Sequence, residues 1–78
     1  MKTAATVGLT RLTDADLREL LRAIHKSQLP FPLRRSDLMA MGMNRVADEA
    51  SPLLGLDERA VRVAIALVMA ERAKLAKA

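Results

Sequence analysis

Chemistry needs side chains that converge, and this 78-residue chain offers few candidates. Its single histidine, His25, stands two residues from Ser27. On a helix, residues two apart do not face each other, so the pair lacks the geometry of a base activating a nucleophile. There is no cysteine. With one histidine and no thiolate, a metal would rest on scattered carboxylates, short of the three or four ligands such sites use. The acids of "DADLRE" and "ADEA" read as helix-start and exposed-face residues rather than an acid/base pair. The three glycines stand apart, so no glycine-rich loop is present to cradle phosphate. The expectation is a protein that is not an enzyme, with no metal, no cofactor and no small-molecule substrate.

Cations are more plentiful. Between residues 18 and 35, Arg18, Arg22, Lys26, Arg34 and Arg35 are opposed by Glu19 alone. Arg18, Arg22 and Lys26 recur every four residues and line one side of a helix; Arg34 and Arg35 follow a proline turn. Such a stripe either tracks phosphates or keeps an Ala- and Leu-rich protein soluble. The net charge of +4 permits a polyanion partner without requiring one. Phe31 is the only aromatic residue, which removes base stacking as a means of holding single strands. Two local patterns touch on duplex binding. Residues 47–66 approximate a helix-turn-helix, with Ser51 as the small residue and Gly55 in the turn. Pro52 breaks its supporting helix, and the reader helix exposes only Glu58, Arg59, Arg62 and Ala66. "LMAMGMNRVA" has the apolar–Gly–apolar turn of a helical hairpin, but Ala40 stands where the first glycine is expected.

These residues must be positioned by a small fold. At 51% apolar and 28% charged the chain reads as globular, built from Leu, Val, Ile, Met and many Ala, a composition suited to close helix packing. Residues 1–10 lack periodicity and read as a flexible arm, leaving 11–78 as one helical domain. Thr13 is an N-cap, with Asp14 and Asp16 in the first turn and Leu12 and Leu17 as a hydrophobic staple. Leu17, Leu20, Leu21 and Ile24 then draw one apolar stripe, predicting a helix over about 14–27. Pro30 and Pro32 of "LPFPL" end it and form a stiff connector that lays Phe31 across the bundle. Ser36 caps a short helix that closes at Gly42, with Leu38 and Met43 in apolar contact. Asn44 caps a third, "RVADEA". Ser51, Pro52 and Gly55 make a separate turn, or else residues 44–54 form one kinked helix. Asp57 caps a last helix over about 58–75. The fold expected is all-α: a compact bundle of about four helices, two of them short, with a long apolar C-terminal helix as spine.

That last helix carries "VAIALVMA", residues 63–70, with no charge. Its eight residues rise about 12 Å as a helix, too little to span a bilayer. The N-terminus has no signal-like apolar run, so a cytoplasmic protein is expected. On a wheel, Val61, Ala64, Ile65, Val68 and Leu75 share one face. Val63, Leu67, Ala60 and Ala70 lie far round from it, making the apolar surface wider than an ordinary surface helix needs. Either the short helices wrap both flanks and Val63 and Leu67 are core, or the fold covers one flank and Val63, Leu67 and Ala70 meet another chain. The function expected is a non-catalytic protein–protein interaction module, a self-associating adaptor or small regulatory subunit. The alternative is a small basic DNA-binding regulator using Arg18, Arg22, Lys26, Arg34 and Arg35 with the 34–55 hairpin region.

Overall fold

The computed structural model describes residues 9–76. They form four helices, α1 (Asp14–His25), α2 (Arg35–Ala40), α3 (Asn44–Glu49) and α4 (Glu58–Ala76), with a 3-10 turn at Ser51–Leu53 and no strand among the described residues. The expected all-α architecture, two helices short and the last one longest, is what the chain adopts. No helix of the described residues is long and apolar enough to cross a membrane.

Local signals set most boundaries. The Thr13 hydroxyl accepts from the Asp16 amide, and the Asp16 carboxylate accepts from the Thr13 amide, a reciprocal capping box. Leu12 and Leu17 are fully buried beside it. At the far end, the Ser27 amide bonds to the Ile24 carbonyl and the Gln28 amide to that of Ala23, with Ser27 at φ +56°. This Schellman closure stops α1 at His25, five residues ahead of Pro30. The prolines therefore do not end the helix, as the sequence suggested, and they only prevent its resumption.

Two other caps differ from expectation. α2 starts at Arg35, because Arg34 is extended and its carbonyl receives the Asp37 and Leu38 amides; Ser36 falls inside the first turn. α3 starts at Asn44, with Met43 as its cap, because Met43 is held in the core by the ending of α2. That ending is as read: Gly42 at φ +77°, its amide on Met39, the Met43 amide on Leu38, and both apolar side chains buried. The turn at 51–53 is separate, so the single kinked helix is not formed. Asp57 Oδ1 accepts the Ala60 amide and caps α4.

α4 packs against α1 and the 3-10 turn, while α2 packs on α3. Val61, Ala64, Ile65 and Val68 enter the core from α4, meeting Leu17, Leu20 and Ile24 of α1 and Leu53 of the turn. Leu75 does not join them. It is 66% exposed, because α4 runs past the bundle it packs on. The connector turns Leu29 and Leu33 inward with Phe31 half-buried, and a pair of backbone bonds (Leu33 N–H to Leu56 O, Gly55 N–H to Leu33 O) ties it to the start of α4. Leu9 of the expected arm is fully buried in the core, so the packed domain begins ahead of residue 11. Residues 1–8 of the arm, and Lys77 and Ala78, lie outside the described residues.

Two arginines from distant segments secure the first turn. Arg45 on α3 pairs with the Asp16 carboxylate and reaches the Arg11 carbonyl. Arg72 on α4 donates to the Leu9 and Leu12 carbonyls and to Asp14. Burial, the largest single influence on Asp16, pushes its carboxyl up. The Thr13 amide, the Arg45 guanidinium and the Thr13 hydroxyl together outweigh it, and Asp16 is held below the usual carboxylate range.

Candidate protein-binding face

The outward side of α4 answers the question its composition raised. The short helices cover one flank only. Val61 and Ile65 are fully buried, whereas Val63 is 51% and Leu67 46% exposed, and Ala70 is exposed beyond them. The arrangement in which Val63 and Leu67 are core within one chain is therefore not the one adopted. The α4 backbone is a continuous helix through this stretch, so three apolar positions follow one another along its outer surface.

The face is shaped as well as apolar. Val63 and Leu67 wall a shallow concavity whose other lining residues include Leu56, Asp57, Ala60 and Ala64. Small side chains at Ala60 and Ala64 make the depression, and the branched ones rise beside it. Sequence reasoning found Val63, Leu67 and Ala70 but left out Leu56 and Asp57, which lie in the turn before the helix. The available signal was spacing: 56, 60, 63, 67 and 70 alternate steps of four and three residues. Chemically the concavity offers aliphatic carbon, with the Asp57 carboxylate and the Arg59 guanidinium as its charged groups.

The basic residues do not form one unit. Arg34 lies 3.7 Å from Asp37, and Arg35 is paired with Asp48 across α2 and α3. Arg18 turns its Nε back to the Asp14 carbonyl at 3.4 Å. Arg22 and Lys26 have no carboxylate partner among the described residues, and Arg22 lines a separate depression with Leu21, His25 and Arg62. Arg62 itself stands 3.6 Å from Glu58. Two of the five cations in the stripe thus have their charge offset locally. His25 and Ser27 do not meet on a helix face, because Ser27 has already left the helix. Among the described residues no group of three or more His, Asp or Glu is arranged to hold a metal ion.

No family model matches this chain, and neither a curated protein nor a solved structure does so.

Proposed function

We propose that the chain is a non-catalytic protein–protein interaction module, an adaptor or small regulatory subunit, that binds through Val63, Leu67 and Ala70 of α4. The observation that carries this reading is the half exposure of Val63 and Leu67, one turn apart on a helix whose opposite side buries Val61, Ala64, Ile65 and Val68. Covering a valine or leucine contributes roughly 1.5–3 kcal/mol each. Adjacent large aliphatics left in water on so small a domain favour association of some kind. The polar surroundings of the groove, Asp57 and Arg59, supply the charged rim such faces carry. The nucleic-acid reading gains less support, since Arg34 and Arg35 are already matched by Asp37 and Asp48.

A photoreactive residue placed at position 63 tests the reading in the cells that make the protein. Cross-linked adducts from position 63 and from position 67, absent from a control at Arg45 on α3, are the expected result. A chain that forms no adduct with any protein from either position overturns the proposal.

A further inference from the structure

We infer that the occupant of this face is a second copy of the same chain, bound antiparallel through α4. This rests on the interaction reading and names its partner. Ala60, Val63, Leu67 and Ala70 recur at intervals of three and four residues, the spacing of a helix–helix seam rather than of a flat patch. Ala60, Val63, Ala64 and Leu67 stand at i, i+3, i+4 and i+7, and these four surround the concavity. Four residues so related form the hole into which one side chain of a facing helix inserts. Two of the four are alanines, which leaves room for a branched aliphatic knob.

Order along the seam selects the orientation. Ala, Val, Leu, Ala runs small, large, large, small from either end. A two-fold axis that sets Val63 opposite Leu67 of the second copy also sets Ala60 opposite Ala70 of that copy. Leu67 from each copy then enters the hole of the other, so one fit is made twice. Charge agrees. Lys74 continues the seam by four residues beyond Ala70. In a parallel pair it would face the same lysine of the other copy. In the antiparallel pair it arrives at Leu56 and Asp57, at the end of the groove. Asp57 uses Oδ1 to cap α4 at 2.8 Å from the Ala60 amide, and Oδ2 remains for an incoming ammonium. Neither Asp57 nor Lys74 has an ion-pair partner of its own among the described residues.

Sedimentation equilibrium of the full chain over a concentration series is the first measurement. It should give a reversible monomer–dimer equilibrium. Leu67→Glu should weaken that equilibrium roughly tenfold or more with unchanged helicity by circular dichroism. The absence of native cysteine makes orientation directly readable. A mixture of Ala60→Cys and Ala70→Cys chains should form a mixed disulfide on gentle oxidation, while neither variant bridges to itself. In the antiparallel pair two copies of position 60 are offset by ten residues, about 15 Å, too far to bridge. A chain that stays monomeric at every concentration, or ready self-bridging of Ala60→Cys, overturns the inference. If a monomeric chain still cross-links to a different protein from position 63, the interaction module stands and only the second copy is lost. If no adduct of any kind forms, both fall.

Discussion

Arg72, near the end of α4, donates to the Asp14 carboxylate across 2.8 Å and fastens the last helix to the first turn of the first one. The same guanidinium also donates to the carbonyls of Leu9 and Leu12. The Leu9 carbonyl also accepts the Leu12 amide, whereas the Leu12 carbonyl takes its donor from Arg72. One side chain therefore holds α4 in place and satisfies backbone that the capping box does not reach. Because Leu9 and Leu12 are fully buried, releasing this clamp also loosens apolar packing.

Replacing Arg72 by alanine should therefore cost more than removing an exposed ion pair. A charge-assisted hydrogen bond contributes about 1.5–3 kcal/mol, against about 0–1 kcal/mol for a surface pair. Arg72→Ala should lower stability by about 2 kcal/mol. Asp48→Ala, which breaks a pair more than half exposed on both sides, should lower it by under about 0.5 kcal/mol. In a domain of this size 1 kcal/mol moves Tm by roughly 4–8 °C, so thermal melts separate the two variants easily. Equal melting points for the two would show that Arg72 holds nothing.

Asp16 makes stability depend on acid. Its folded carboxyl lies below the usual carboxylate value, so between the folded and unfolded pKa the unfolded chain binds more protons. Stability from this group is complete above the unfolded value, near 3.9, and is lost as pH falls through the folded one. Chemical denaturation between about pH 2 and 6 should show that decline. Asp16→Asn should start lower at neutral pH, since the Arg45 pairing is gone, and should decline less on acidification. A variant whose slope equals that of the parent chain would remove Asp16 from the account.

The parts of this fold that were legible in the sequence are those decided within one turn of chain. Thr13 with Asp16, Leu12 with Leu17, Gly42 with its flanking Leu38 and Met43, and Asp57 with Ala60 are all settled by neighbours three to five residues away. Most of what was not legible is long-range, the Ser27 closure of α1 and the caps at Arg34 and Met43 being local exceptions. Arg45 meets Asp16 across 29 positions and Arg72 meets Asp14 across 58, and no local pattern marks either arginine as different from Arg18. The candidate face divides the same way. Helical spacing placed Val63, Leu67 and Ala70 together opposite Val61 and Ile65. Whether the short helices would cover that side depended on where the connector at Leu33 docks, which is fixed by its bonds to Gly55 and Leu56.

Ser27 is a position where a single substitution should stabilise. It holds φ +56°, a left-handed conformation that costs a residue with a Cβ roughly 1–2 kcal/mol. Glycine adopts it freely but loses more chain entropy on folding, which returns part of the gain. Ser27→Gly should raise stability by about 0.5–1 kcal/mol, measured by urea denaturation. The converse change, Gly42→Ala, should cost about 1 kcal/mol. Nothing lies within 4 Å of the added methyl, so that loss is conformational rather than steric. A Ser27→Gly chain less stable than the parent would mean that the serine hydroxyl supports the turn more than its backbone strains it.

The two sides of α4 should respond to mutation in opposite ways, and this contrast bears directly on the face. Ile65 is fully buried at the meeting of α4 with α1, so Ile65→Ala removes transfer energy and leaves a cavity, costing about 2–5 kcal/mol. A 78-residue domain holds roughly 4–12 kcal/mol in total, so this one change consumes much of it. Val63 and Leu67 already meet water over about half their surface. Val63→Glu and Leu67→Glu, measured where the chain is dilute and unassociated, should shift stability by under about 1 kcal/mol, with glutamate's better helix propensity offsetting part of valine's lost contact. At high concentration the same variants should lose any stabilisation that the parent gains by association, because binding only the folded state raises its apparent Tm with concentration. Melting curves of parent and Leu67→Glu chains over a hundredfold range of concentration would therefore diverge. Coincident curves at every concentration, together with severe unfolding of Leu67→Glu, would instead place Leu67 in the core of the single chain, where its exposure says it is not.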